Sequence, residues 1–152
     1  MRKIHRAVVV PALLLMFFLT ACSPAAGGIT ISGAWARPSP AGDMAAMGGV
    51  NGGAFMTIRN DGSQPDTLIG AESSAARVVE IHQTTMTGDV MRMQQVESLE
   101  IPAGGEVLLQ PGGYHIMLID LQQNLTPGGI IDITLVFQQA GPVTVAVEVQ
   151  EN

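Results

Sequence analysis

The chain of 152 residues contains a single cysteine, Cys22, and very few basic groups. Both scarcities exclude classes of function. If Cys22 carries a lipid, as argued below, no thiol remains, so disulfides, thiolate metal sites and a cysteine nucleophile drop out. A blue-copper electron carrier drops out with them, because its chemistry requires a cysteine thiolate. Beyond Cys22 the only basic residues are Arg37, Arg59, Arg77 and Arg92, against all thirteen acidic ones, a formal charge of −9. Phosphate contacts require clustered Lys and Arg, so nucleic-acid binding is excluded on the same count. An acidic surface is usually just a solvated one, although it also suits a basic protein partner.

Long apolar runs are missing as well. Arg2, Lys3 and Arg6 precede the apolar stretch Ala7 to Leu19, which is too short to span a bilayer as a stable helix and reads as a signal peptide. Leu19-Thr20-Ala21-Cys22 resembles the bacterial lipoprotein cleavage box. Residues 1–21 are therefore expected to be removed and Cys22 to be the lipidated first residue. Such a lipid tethers a domain to a membrane surface without spanning it. Residues 22–28 form a short Pro/Gly-containing linker, and 29–152 one domain with a real core. The location is extracytoplasmic, in the periplasm or on the outer cell surface, where free thiols are prone to oxidation.

What fills the rest is strands and turns. Ile29 to Trp35, Ala54 to Arg59, Asp66 to Ala71, Ala76 to Gln83, Val90 to Val96, Leu99 to Ile101, Glu106 to Gln110, Tyr114 to Leu121, Ile130 to Gln138 and Val143 to Val149 read as short strands. Asn60-Asp61-Gly62, Thr87-Gly88-Asp89, Pro102-Ala103-Gly104-Gly105 and Pro111-Gly112-Gly113 punctuate them. About nine short strands with turn signals every 8–12 residues indicate an all-β Greek-key sandwich or barrel. No convincing amphipathic helix is present; Ser73 to Arg77 is expected to make one helical turn at most. Ala41 to Gly53 reads as a Gly/Ala/Met loop.

Against this background the methionines and histidines stand out. His5 lies in the signal, so the mature chain has only His82 and His115, with seven methionines. Met56 is assigned to the core, the usual place for a methionine in a strand. His82, Met93, His115 and Met117 follow the spacing His-x10-Met-x21-His-x-Met. In a strand alternate side chains share a face, so His115 and Met117 point the same way, as do Met91 and Met93. Imidazole suits copper and thioether sulfur selects Cu(I) over harder ions. A thioether needs no deprotonation, which matters in a chain with no spare thiol. The three segments can converge at one end of a sandwich, where loops cluster and a metal stays accessible for transfer.

Val79-Glu80-Ile81-His82, Gly88-Asp89-Val90-Met91-Arg92-Met93, Ile101-Pro102-Ala103-Gly104-Gly105 and Pro111-Gly112-Gly113-Tyr114-His115-Ile116-Met117-Leu118 resemble the PCu(A)C family of periplasmic copper chaperones. Trp35-Ala36-Arg37-Pro38, Ile58-Arg59-Asn60 and Leu135-Val136-Phe137 fit it too. The resemblance runs from about Ile31 to Val149 and matches the family's copper spacing without a gap. It implies a cupredoxin-like Greek-key sandwich and a Cu(I) site carried over to His82, Met93, His115 and Met117. It also implies delivery of copper, by ligand exchange, to the binuclear copper centre of cytochrome c oxidase. Many family members have a methionine soon after the first histidine; here Met86 comes four residues later, as a swing ligand or a packing residue. Met91, Met44 and Met47 are further auxiliary candidates, and the loop carrying Met44 and Met47 is longer than the family norm, either capping the metal or holding incidental methionines. The sequence stops at Gln150-Glu151-Asn152, so a His/Met-rich tail site is not expected. A monomer is expected.

Two other classes are weighed. An enzyme is disfavoured: no Ser/His/Asp order, phosphate loop or carboxylate pair is present, and Glu80, Asp89 and Glu97 read as solvated strand edges or turns. The alternative to a chaperone is a structural or adhesion-type surface lipoprotein without metal, since a fold does not fix a function.

Overall fold

A computed structural model of the chain describes residues 28–39 and 50–151. The signal peptide, Cys22, most of the linker, Met44 and Met47 lie outside these residues. Among the described residues no helix is long and apolar enough to cross a membrane. They form ten strands: β1 (Ile29–Ala36), β2 (Gly52–Asn60), β3 (Asp66–Glu72), β4 (Ala76–Thr87), β5 (Val90–Gln95), β6 (Leu99–Ile101), β7 (Glu106–Leu109), β8 (Tyr114–Leu121), β9 (Ile130–Phe137) and β10 (Gly141–Val149).

The all-β architecture is as expected, with ten strands instead of about nine. The largest boundary difference is in β4, expected to end at Gln83 but continuing to Thr87. Thr84 to Thr87 pair with Met93 to Val90 of β5, so a long hairpin replaces the expected loop. The loop expected to run to Gly53 ends earlier, because Gly52 and Gly53 pair with Leu118 and Met117 of β8. The expected helical turn over Ser73 to Arg77 is absent: Ser73 to Ala75 make a tight turn, Ala76 and Arg77 already belong to β4, and Ser73 Oγ accepts from the Ala75 N–H at 3.2 Å and donates to the Asp132 carbonyl at 2.7 Å.

Hydrogen bonding joins all ten strands in the order β5-β4-β8-β7-β2-β1-β10-β9-β3-β6. β1 links the two halves, antiparallel to β2 and parallel to β10. A bulge between Ser32 and Trp35 interrupts the β1–β2 register. Gly33 sits in it at φ 59°, a left-handed value that a side-chain-bearing residue adopts at a cost. The sheet doubles over at this strand, and the two halves share one core. Ile81, Ile116, Leu118 and Ala54 come from one half; Leu68, Ile101, Ile133, Leu135 and Val147 come from the other. Each of the Ile, Leu and Val side chains contributes about 1.5–3 kcal/mol when fully buried. Met56 is in this core, as assigned.

Two buried polar residues lock the fold: Asn60 ties the halves together, and Asp66 fixes a turn within one of them. Asn60, at the end of β2, donates from Nδ2 to the Gln64 carbonyl at 2.8 Å and the Ile101 carbonyl at 3.2 Å, and accepts from the Gly62 N–H at 2.9 Å. One side chain thereby closes the turn after β2 and holds the last strand of the hydrogen-bonded order, β6, against the middle of the sheet. Asp66, at the start of β3, accepts from the N–H groups of Thr67 (2.7 Å), Gln139 (2.9 Å) and Ala140 (2.9 Å), fixing the β9–β10 turn. Burial alone would raise the Asp66 pKa; the three N–H groups outweigh it and hold the carboxyl below its ordinary value.

Asn60→Ala is expected to cost about 2–3 kcal/mol by urea denaturation, because it strands two carbonyls and an N–H at a buried junction. Because the folded pKa of Asp66 is depressed, its stabilisation is full above the ordinary carboxylate range and is lost as pH falls through the folded value. Asp66→Asn should therefore lower stability at pH 7 and flatten the loss between pH 5 and 2, measured as urea midpoints across that range.

Candidate metal centre

The site is set by strand register. β4 and β8 pair antiparallel with His82 opposite His115 and Glu80 opposite Met117. β8 also places Met117 opposite Gly53 of β2. β5 places Met93 opposite Thr84, Met91 opposite Met86 and Gln95 opposite His82. Directly opposed residues share a face, and so do alternate residues along one strand. Glu80, His82, Thr84 and Met86 of β4, Met91 and Met93 of β5, and His115 and Met117 of β8 therefore occupy one face, outside the core. The intervening Ile81, Ile116 and Leu118 face inward.

The two imidazoles lie side by side, ring centroids 5.9 Å apart and planes inclined at 51°. Each has one nitrogen occupied. His82 Nε2 lies 2.8 Å from Glu80 Oε2, and His115 Nδ1 lies 3.2 Å from the Gly113 carbonyl oxygen. A carboxylate and a carbonyl only accept, so these nitrogens carry the protons. The other two, His82 Nδ1 and His115 Nε2, are buried without a hydrogen-bond partner. In neutral imidazoles they are bare lone pairs. Leaving buried polar atoms unpaired costs about 1–3 kcal/mol each. A metal ligand, by contrast, uses one nitrogen for the metal and binds the other to a carboxylate or carbonyl. Burial pushes the His115 pKa below its ordinary value; the Gly113 carbonyl opposes this, while His82 and Arg37 reinforce it. The neutral, donor-competent form is thereby favoured.

The thioethers stand further out. Met117 is partly buried beside the histidines, while Met93 is 50% exposed. An open cleft of about 370 Å³ collects His115, Met117, Met93 and Met91 with Thr84, Phe55 and Arg37. Its wall is aromatic: Phe55 lies 6.2 Å from the His115 ring and 4.5 Å from Trp35, and the Arg37 guanidinium sits 5.8 Å from its centroid. Phe55 is buried here and stands apart from the main core. Of the eight methionine and histidine candidates, the structure brings His82, His115, Met117, Met93, Met91 and Met86 to one face. Met44 and Met47 lie outside the described residues.

Two expectations need correcting. His82 does not lie near the end of its strand, because β4 continues past it to Thr87 and pairs there with β5; the four principal residues are on strands, as read. Glu80 is not a solvated edge residue: it is half-buried and orients His82. The spacing Glu80-Ile81-His82 carries that signal, since residues two apart on a strand share a face. Asp89 and Glu97 are exposed, as read. Among the described residues no group of three His, Cys, Asp or Glu side chains converges. The donors gathered on this face are imidazoles and thioethers, a set that suits a soft monovalent cation rather than zinc.

A family model described as "Putative lipoprotein LpqE-like" matches residues 29–149. A relative named "Putative lipoprotein Lxx21020", from Leifsonia xyli subsp. xyli, is 36% identical over 161 aligned positions, covering 98% of this chain and 91% of its own length. Among solved structures, the copper-bound PCuAC domain from PmoF2 superimposes with a TM-score of 0.67 at 28% identity, over 84% of this chain and 97% of that one. The solution structure of CuI-DR1885 from Deinococcus radiodurans gives 0.61 at 32% identity, over 79% and 76%. The fold is thus the cupredoxin-like β-sandwich of the PCuAC domains.

The hydrogen-bond partners fix a tautomer for each ring. Long-range proton–nitrogen correlation spectra above pH 8 should show His82 protonated on Nε2 and His115 on Nδ1. Glu80→Ala should return His82 to a mixture and leave His115 unchanged.

Proposed function

The chain belongs to the LpqE-like family, and from that membership and the geometry of its two histidines we propose that it is an extracytoplasmic Cu(I) chaperone. The observation that carries the reading is the pair of buried, unpartnered nitrogens, His82 Nδ1 and His115 Nε2, on adjacent strands. Copper is the cargo. His82, His115, Met93 and Met117 hold it, two imidazoles and two neutral thioethers. The set suits Cu(I), and its two thioethers take up the ion without losing a proton. Copper-bound forms of two similar domains support the choice of ion.

The remaining features serve release. Met93 projects from an exposed edge strand, so a recipient's ligand can approach the metal from the cleft and replace Met93 first. No covalent chemistry is required of the chain, and it acts as a monomeric carrier, not an enzyme. Lipid on Cys22 tethers it to the membrane surface, in keeping with the lipoprotein name of the relative. The recipient on this reading is the binuclear copper site of cytochrome c oxidase.

Anaerobic Cu(I) titration against a competing chelator tests the reading. Wild type should take one tightly bound Cu(I) per chain. His82→Ala and His115→Ala should each lose more affinity than the 10–100-fold that removal of a ligand's hydrogen-bond partner costs, the range expected for Glu80→Ala. Met93→Leu and Met117→Leu should weaken binding with the fold intact, and Zn(II) should not compete. A wild-type chain that binds no Cu(I) under reducing conditions would instead be a structural surface lipoprotein.

A further inference from the structure

The outer part of the β4–β5 hairpin carries two methionines that the four-ligand site does not use. Met86 and Met91 are directly opposed in the β4–β5 register, and they are 59% and 64% exposed. Every residue of β5 is exposed, so neither its methionines nor Val90 serve the core. We propose that Met86 and Met91, with Met93, form a second, solvent-facing Cu(I) site: a loading and unloading station for the buried one. The proposal rests on the copper-chaperone reading above and extends it.

Three observations support it. Side chains directly opposed on antiparallel strands start about 4.5–5.5 Å apart at Cβ, so two flexible thioethers there can grip one ion. Met93 follows on the same face, about 7 Å further along the strand, close enough for a third sulfur to join. On the hairpin itself this face carries no positive charge; Arg37 enters the adjoining cleft only from its aromatic wall, over Phe55. Its rows along the hairpin are Met86 with Met91, Thr84 with Met93 and His82 with Gln95. Arg92, the only cationic residue of β5, pairs with Thr85 and so points to the opposite face. The route inward is continuous, because Met91 and Met93 line the same cleft as His115 and Met117.

Transfer between the stations balances simply. Cu(I) starts on Met86, Met91 and Met93. Met93 stays bound while Met91 and Met86 are exchanged, one at a time, for Met117 and His115, and His82 then adds as the fourth ligand with no bond broken. Each exchange makes one Cu–S or Cu–N bond and breaks one Cu–S bond, and the last histidine completes the set. The copper remains monovalent, and the thioethers exchange without any proton moving because they are neutral.

The test uses the whole mature chain, Cu(I) as the probe, and the double variant Met86→Leu/Met91→Leu. Leucine keeps the apolar bulk, so hydrophobic docking survives and only sulfur coordination is lost. Under anaerobic chelator competition, wild type should bind one tight Cu(I) and, through Met86 and Met91 alone once that ion engages Met93, one weaker Cu(I). The double variant should keep the tight one at wild-type affinity and lose the weaker one. Withdrawal of the tight Cu(I) by excess chelator, followed by stopped flow, should slow several-fold. A variant that keeps both stoichiometry and withdrawal rate overturns the station while leaving the four-ligand site intact. A variant that loses the tight Cu(I) also overturns it, since the two methionines would then belong to that same site. Wild type that binds no Cu(I) at all removes both readings.

Discussion

The register of β4 against β8 is the constraint from which the site follows. On the inner face Ile81 meets Ile116 and Val79 meets Leu118, packing that a one-residue slip would exchange for solvent. On the outer face the same register sets His82 opposite His115. Core burial therefore aligns the two imidazoles. The Gly113 carbonyl ties the two faces together. It accepts the Thr84 N–H at 3.0 Å, continuing the strand contact, and the His115 Nδ1–H at 3.2 Å, fixing the ring. A single oxygen thus links the backbone register to the tautomer of a candidate ligand.

The histidines are held in a costly state. Each ring is committed through one nitrogen and keeps the other unpaired in a dry environment. A fold optimised for stability alone would supply a partner or replace the ring by an apolar residue. The surroundings instead preserve the lone pairs: burial, the neighbouring ring and Arg37 favour neutral His115. Glu80 plays the corresponding orienting role for His82. Stability must then come from elsewhere, and the shared core with the Asn60 and Asp66 clamps supplies it.

Local patterns were readable from the sequence; long-range pairing was not. Alternation located nearly every strand, because half-buried strands carry a period of two, and the spacing of His115 and Met117 fixed their common face. The extension of β4 was missed because Gln83-Thr84-Thr85 has no apolar alternation; those residues form strand because β5 and β8 pair with them, not because of their own preference. The opposition of His82 and His115 was invisible, since nothing in either segment records which strand it pairs with. Asn60 reads as a turn residue by type. That it is fully buried, reaching across to Ile101, appears only once the sheet has folded over at β1. Glu80 was misread because a lone carboxylate looks solvated until its neighbour on the same face is known to be buried.

Among the candidate donors exposure rises outward from the histidine row. His115 is 4% exposed, Met93 50% and Met91 64%. The order follows donor strength and cost. Imidazoles gain from burial as ligands because the low dielectric and fixed partners sharpen their geometry, and that burial is tolerable only where packing enforces it. Thioethers carry no charge and form weak hydrogen bonds, so they tolerate either environment and can sit on an edge strand without a partner. A soft cation moving along such a face meets progressively stronger, better-ordered donors inward and more replaceable ones outward. Retention and release are then separated in space by a few strand residues, and both follow from which side chains the β4–β8 and β4–β5 registers bury.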